Sequence, residues 1–176
     1  MSKLIITTAM TVDGVIDGFE WYVSEGAHDG AGRDQFTGAG AMLLGRKTYE
    51  GLASFWPTQE GPWADLLNPM PKVVASRTLS EPLEWNARLL QGELGNAVPR
   101  LKAEVDGDVI MPGCGELARN LLVEALVDEV RLWVHPVVWG EGARPFRGER
   151  IRLRLLGSEA FDSGVTLLRY EPLGVG

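Results

Sequence analysis

Four short apolar runs, separated by turns and by stretches of helical composition, constrain this chain more than any other feature. They are residues 3–10 (KLIITTAM), 41–44 (AMLL), 72–75 (KVVA) and 108–111 (DVIM). Runs this short, rich in aliphatic and β-branched side chains and lacking polar alternation, read as strands buried on both faces. Such strands joined through helices define an α/β fold: a mainly parallel central sheet with helices on both faces.

The intervening segments fit that plan. Residues 46–54 (RKTYEGLAS) have helical composition, and Phe55-Trp56-Pro57 stops them, because the residue before proline is pushed out of the helical region. Residues 63–68 suggest one or two helical turns, Leu89 and Leu90 a short strand, and residues 95–105 a helix with Pro99 near its first turn. Residues 116–127 (ELARNLLVEALV) place Leu117, Leu121, Leu122, Ala125 and Leu126 on one apolar helical face. The Gly-rich stretch from Gly26 to Gly40 has room for a short helix near Arg33–Phe36. Residues 129–134 and 136–139 are strand-like. Ile151, Leu153 and Leu155 alternate with Arg152 and Arg154, and Asp162-Ser163-Gly164 separates them from the apolar run 165–170. The chain is therefore expected to close in an antiparallel hairpin. A length of 176 residues fits a single domain, 1–176.

Charge and cysteine content exclude several functions. The net charge is −7, and no Lys/Arg block exceeds two residues, so no nucleic-acid or anionic-membrane surface is expected. The single cysteine, Cys114, rules out an intrachain disulfide and a thiolate metal cluster, and no metal is expected. No apolar run is long enough to span a bilayer. The N-terminus is strand-like and lacks the apolar core of a cleavable signal. A soluble cytoplasmic protein is expected.

Three turns have chemistry suited to phosphate. In the first, a buried strand ends at Gly45 and a helix opens with Arg46, Lys47 and Thr48. A helix N-terminus supplies free N–H donors and a partial positive charge, to which these side chains add two cations and a hydroxyl. A solvated basic pair is the competing reading, although cations oppose the macrodipole there. In the second, Gly113, Gly115 and Ala118 fit G-x-G-x-x-A between strand and helix. That motif comes late in the chain, and His135-Pro136 stands where a Rossmann acid belongs, so a standard Rossmann domain is disfavoured. A tight strand-to-helix turn is the competing reading. In the third, Ser76, Arg77 and Thr78 follow a strand end, where parallel sheets carry ligands; alone they also fit a solvated turn. The co-occurrence of all three argues for a phosphate-bearing ligand.

These residues also carry a family resemblance. Leu44-Gly45-Arg46-Lys47-Thr48-Tyr49-Glu50 resembles the G-R-[KH]-T-[WYF] signature of dihydrofolate reductases. The run LLVEALVDEVRLWVHPVVWGEGARPF is similar to the C-terminal half of the riboflavin-biosynthesis reductase domain and its stand-alone bacterial relatives, and TVDGVIDG is similar to their S-x-D-G opening. The likeness extends from Lys3 to Tyr170. It implies a dihydrofolate-reductase-like fold and an NADPH-dependent reductase of a small pteridine- or pyrimidine-like heterocycle. A nucleotide-binding protein that has lost catalysis is the alternative.

The resemblance further implies that Gly45, Arg46, Lys47 and Thr48, with Ser76, Arg77 and Thr78, hold the adenosine 2′-phosphate and pyrophosphate. Gly113, Gly115, Glu116 and Leu117 would lie along the pyrophosphate, and Ala9, Ile16, Asp17 and Gly18 would border the nicotinamide. Relatives often form homodimers, and the terminal hairpin with the apolar run Leu132–Trp139 is the expected two-fold interface. Two departures stand out: Pro112 removes a backbone donor beside Gly113, and Gly40 occupies a position where the family often has an acid. No H-x-E with P-C-x-x-C is present, so the reductase module alone is expected, without the deaminase of the bifunctional enzyme.

Hydride transfer needs a dry, oriented pocket and is helped by a proton donor. Asp13 and Asp34 are the candidate catalytic acids, with Asp29 an alternative on the first helix; Asp13 also reads as a turn former with Gly14. Trp21, Phe55 and Trp56 are candidates to stack on a planar substrate, as is Phe36. His28 reads as a polar loop residue and His135 as packing at a strand end. Cys114 beside a helix N-terminus is a candidate reactive thiol.

Overall fold

The structure is a computed structural model that describes residues 1–148 and 150–176. Among these, eight strands form one sheet: β1 (Leu4–Thr11), β2 (Ala39–Gly45), β3 (Lys72–Ala75), β4 (Ala87–Leu89), β5 (Asp108–Pro112), β6 (Glu129–His135), β7 (Ile151–Ala160) and β8 (Thr166–Val175). Their order is β4-β3-β2-β5-β1-β6-β8-β7. The first six are mutually parallel, and β8 joins β6 antiparallel and turns back to β7. The apolar runs become strands because their backbone groups pair in the ladder while both faces are covered.

Successive side chains divide between two cores. Leu4, Ile6, Leu43, Val73, Val109 and Met111 face α4 (Leu94–Glu104) and α5 (Glu116–Val123), meeting Val98, Leu101, Ala118 and Leu121. Ile5, Met42, Leu44, Val74 and Ile110 face the opposite way. They meet α1 (Ala27–Thr37), α2 (Arg46–Phe55) and α3 (Pro62–Leu67) through Phe36, Tyr49 and Leu67. Helices therefore cover both faces. Lys72 is buried on β3. Its ammonium donates to the Leu67 and Asn68 carbonyls at 2.5 and 2.9 Å and sits 3.9 Å from the Trp85 ring centre, which satisfies the end of α3.

Several boundaries differ from the sequence-based expectation. α1 runs over residues 27–37 and not only near 33–36; its glycines are offset by tertiary contacts, as described below. The helix expected over 116–127 stops at Val123, where Ala125 takes a left-handed φ of 55° and Leu126 N–H returns to the Leu121 carbonyl. α4 begins at Leu94, which puts Pro99 in its interior beyond the first turn. Residues 136–139 form no strand: Pro136 has no N–H to give, and Val137 N–H bonds back to the His135 carbonyl at 2.8 Å. Gly40 sits at a register shift between β2 and β5, where an added Cβ would lie 2.7 Å from the Asp106 carbonyl oxygen. No acid fits at that position without moving the backbone.

Candidate functional site

β3, β2 and β5 are adjacent and parallel, so the three turns that follow them emerge along one edge of the sheet. The turns touch. Arg46 Nη1 donates to Thr78 Oγ1 at 3.1 Å, joining the β2 turn to the β3 turn. A Cβ on Gly113 would stand 3.6 Å from Thr48 Oγ1, and one on Gly45 would stand 3.7 Å from Leu117 Cβ, so the β5 turn packs on the β2 turn. Ser76 Oγ accepts from the Thr78 and Leu79 N–H groups at 3.2 and 3.0 Å and so shapes its loop. Lys47 and Arg77 are exposed.

No side chain caps the first turn of α2, behind Gly45, or of α5, behind Gly115, which leaves N–H donors for an anion or water. Gly113 has a φ of 96°, a conformation costly for any residue with a Cβ. Its N–H donates to the Thr7 carbonyl at 3.0 Å, so that donor belongs to the sheet. Glu116 in the first turn of α5 suits the macrodipole but repels an anion.

The loop after β1 is fixed by carboxylates. Asp13 Oδ1 accepts from Thr11 Oγ1 at 2.6 Å and from Trp139 N–H at 3.0 Å, and Oδ2 accepts from Gly140 N–H at 2.8 Å. The Thr11 hydroxyl, followed by the two amides, holds this carboxyl far below the usual carboxylate range. Asp13 thereby clasps the 137–144 segment and is a poor proton donor at neutral pH. Asp17 Oδ1 accepts from Ala143 N–H at 2.9 Å, and Ile16 N–H donates to the Ala143 carbonyl at 3.1 Å. Gly18, with a φ of 64°, starts the short turn of helix at Phe19–Trp21.

A pocket opens where α1 crosses β1 and β6. Thr7, Thr8 and Ala9 of β1 and Trp133 and His135 of β6 form one wall; His28, Gly32 and Gln35, spaced along one face of α1, form another, and Tyr22 and Trp63 complete it. Its volume is about 140 Å³. Thr8 also contacts Cys114 at 3.4 Å, so the pocket adjoins the glycine turn through β1. A second hollow, between α5, β6 and β7, has an apolar wall of Leu122, Val130, Ile151 and Leu153, and its described lining includes no residue of the three turns.

The two histidines, given structural or surface roles by the sequence, are both central here. His28 belongs to α1 and is 2% exposed, a correction to its reading as a loop residue. Its Nε2 faces the Val23 carbonyl at 2.7 Å and must donate; its Nδ1 then accepts from Ser163 Oγ at 2.9 Å. His135 is 1% exposed and accepts the Val23 N–H at Nδ1 (3.1 Å), which leaves the ring proton on Nε2. Burial, then the nearby His28, holds its pKa down to about 4.

Neither candidate acid on α1 is among the described residues lining the pocket, although the Asp29 carboxylate borders it and its charge acts on Tyr22. Asp34 is exposed. Asp29 accepts from Trp63 Nε1 at 2.8 Å and pairs with Arg33. Gln35 lines the pocket instead, a residue the sequence reading missed. The helical spacing of residues 28, 32 and 35 is the signal that marks it, once α1 is known to start at Ala27.

Trp21 is buried, donates to the Asp17 carbonyl at 2.7 Å and packs edge-on against His135. Phe55 and Trp56 pack on each other at the end of α2, with Phe55 exposed; neither lines the pocket, where Trp63, Trp133 and Tyr22 supply the rings. Phe36 packs in the core against Trp63. Cys114 is buried, and burial pushes its thiol up, which makes it unreactive.

The mainly parallel sheet with its antiparallel closing hairpin, carrying glycine-rich and basic turns beside an aromatic pocket, defines a dihydrofolate-reductase-like α/β protein. The chain belongs to the RibD C-terminal domain family, which it matches over residues 2–167. It is 30% identical to YyaP of Bacillus subtilis (strain 168) over 96% of this chain and 94% of the relative, and 27% identical to YwjB of the same organism over 94% and 95%. Among solved structures, it resembles a protein of Shewanella sp. PV-4 assigned to riboflavin biosynthesis, with a TM-score of 0.77, 22% identity and coverage of 97% and 98%. It also resembles a pyrimidine reductase-like protein from Corynebacterium diphtheriae, with a TM-score of 0.69, 13% identity and coverage of 98% and 92%. RibD of Acinetobacter baumannii matches with a TM-score of 0.66 and 17% identity over 98% of this chain, which spans 58% of that protein. Among the described residues no helix is long and apolar enough to cross a membrane.

Proposed function

We propose that this protein is an NADPH-dependent reductase of a small planar heterocycle. The observation that carries the reading is the contact between three phosphate-suited turns, through Arg46–Thr78 and Gly113–Thr48, beside a pocket walled by Trp63, Trp133 and Tyr22. Membership of the RibD C-terminal domain family supports it.

The residues fit a phosphorylated dinucleotide. Arg46, Lys47 and Arg77 offer fixed positive charge for a 2′-phosphate, and Thr48 and Thr78 offer hydroxyls. The uncapped starts of α2 and α5 offer amides for the pyrophosphate. Gly113 holds a positive φ of 96° that a residue with a Cβ adopts only at a cost, which keeps the backbone beside Thr48 bare. When bound, the dihydronicotinamide supplies the hydride. The chain's own residues bind and orient the substrate and exclude water: the rings of the pocket cover its faces, and Thr7, Gln35 and His135 meet its edge. Assembly is part of the same reading. β7 is an edge strand with Leu153, Leu155 and Leu156 exposed, a surface suited to a second copy in a two-fold homodimer. Of the Leu132–Trp139 run, Leu132 and Trp133 are buried within the chain, and Pro136, Val138 and Trp139 are exposed.

A second reading, a nucleotide-binding protein without catalysis, is favoured by the absence of any carboxyl group among the described residues lining the pocket. One titration series separates the two. NADPH and NADH are added to the protein while the fluorescence of its six tryptophans is followed, and NADPH oxidation is then assayed against a panel of pterins, pyrimidinones and quinones. Tight NADPH binding with turnover of a heterocycle supports the reductase. Binding without turnover across the panel supports the second reading, and no binding of either nucleotide overturns both.

A further inference from the structure

Gln35 projects from α1 into the pocket, and its Oε1 is buried with no hydrogen-bond partner among the described residues. An unsatisfied buried acceptor is costly in a free protein, and its presence calls for an explanation. The surrounding polar groups are satisfied or poised. Thr7 Oγ1 accepts from Trp133 Nε1 at 3.2 Å, leaving its own O–H as a donor. His135 accepts from Val23 at Nδ1, leaving Nε2–H as a donor. Among the described residues, none lining the pocket is Asp, Glu, Lys or Arg.

We infer that Gln35 determines specificity: it reads an N–H on the edge of an uncharged lactam- or imide-type ring and excludes a ring cation. The physical reason is the charge balance of a dry site. A carboxamide turns one acceptor and one donor toward a ligand, which matches an adjacent N–H and C=O. A protonated aminopyrimidine ring would bring a full charge into a pocket with no carboxylate among its described lining residues, where desolvation disfavours it strongly. Asp29 acts on the pocket's Tyr22, but its charge is offset by the Arg33 guanidinium and one oxygen is taken by Trp63, and Asp34 is exposed. Thr7 and His135 add neutral donors for the ring carbonyls. The rings of Trp63, Trp133 and Tyr22 bind any planar face and so leave the choice between neutral and charged rings to the edge.

The inference rests on the reductase reading only in taking this pocket as the substrate site, so the test reads binding and not turnover. Lumazine, a neutral pteridine-dione, and 2,4-diaminopyrimidine as its protonated cation are titrated by calorimetry into wild type, Gln35→Leu and Gln35→Glu, with and without NADPH. Wild type is expected to bind lumazine about tenfold or more tightly than the cation, and Gln35→Glu to reverse that order. Gln35→Leu is expected to lose about tenfold in lumazine affinity while the free protein melts about 2–4 °C higher, because the unsatisfied acceptor is gone. That higher melting point also shows that the variant folds.

Equal lumazine affinity in wild type and Gln35→Leu overturns the inference. So does the absence of lumazine binding to wild type, and so does unchanged ligand preference in Gln35→Glu. The NADPH titration stands separately: selective lumazine binding without NADPH binding sinks the reductase reading and leaves the role of Gln35 intact.

Discussion

Arg46 Nη1 and Thr78 Oγ1 meet at 3.1 Å across the ends of two parallel strands. The contact fixes a guanidinium that is otherwise exposed, with only a loose 3.9 Å pairing to Glu50 on its own helix. A charge held in place binds an anion with less loss of side-chain entropy than a free one. Arg46→Ala is therefore expected to weaken NADPH binding by about 10- to 100-fold, the range of a charge-assisted hydrogen bond, while NADH binding changes little. Thr78→Val should produce a smaller loss of the same selectivity. Tryptophan quenching with both nucleotides checks this, and an equal loss for NADPH and NADH would remove Arg46 from the 2′-phosphate site.

Gly113 and Gly115 should respond differently to alanine. Gly113 has a φ of 96° and would bring a Cβ to 3.6 Å from Thr48, whereas Gly115 has a φ of −82° and nothing within 4 Å of a Cβ. Gly113→Ala is expected to cost about 1–2 kcal/mol in urea unfolding. Gly115→Ala should stay within about 0.5 kcal/mol of wild type and yet weaken NADPH binding, if the pyrophosphate approaches that backbone. Equal stability losses at the two positions would contradict the geometry.

His135 makes stability depend on pH in a defined window. Burial, with His28 beside it, holds its folded pKa down to about 4, while the unfolded side chain takes up a proton near 6.5. Below 6.5 the unfolded state binds more protons, so the stability present above that pH is lost as pH falls toward 4. Between pH 7 and 5 wild type is expected to lose about 2 kcal/mol more than His135→Gln. Glutamine stays neutral and retains an acceptor for Val23. Urea unfolding at the two pH values measures the difference, and parallel losses in both proteins would show that His135 is protonated in the fold.

Glu129 contributes in a more acidic window. Burial pushes its carboxyl up, but hydrogen bonds and charges from Arg169 and Arg131, at 2.8 and 2.9 Å, outweigh burial and bring it to about 2. Its contribution is full above its usual 4.5 and is lost as pH falls through that value toward 2. Glu129→Gln is expected to cost about 2 kcal/mol at pH 7, reduced from the full pairing because the Arg169 side chain is 44% exposed. The gap between variant and wild type should narrow as the pH is lowered past 4.5. A gap that stays constant with pH would assign the loss to packing.

Leu155 is 55% exposed on the edge strand β7, and Leu156 is 45% exposed. Leu155→Lys should convert a dimer to a monomer in light scattering without lowering monomer stability, since little core contact is lost. A wild-type protein that is monomeric at high concentration ends the homodimer reading.

The parallel core was legible because strands such as 41–44 and 72–75 are buried on both faces and carry no polar alternation to confuse them. The closing hairpin was legible from the alternation of Ile151, Leu153 and Leu155 with arginines. α1 was not. Its glycines weaken local helix preference, and it is held by contacts distant in sequence: Phe36 packs on Trp63, Asp29 accepts from Trp63, and His28 bonds Ser163. With α1 misplaced, its phase was unknown, and acids were favoured over Gln35.

By itself, then, the sequence determined the layered α/β architecture and the chemistry of the three turns, because hydrophobic period and glycine placement act locally and leave a direct trace in residue order. Only the tertiary structure decided which groups converge. It brought residues 46, 78 and 113 onto one sheet edge, committed Asp13 to the amides of Trp139 and Gly140, and set Gln35, Thr7 and His135 around one cavity. Those relationships depend on strand order and helix phase, which are fixed by packing between segments up to 135 residues apart and have no signature in any local window.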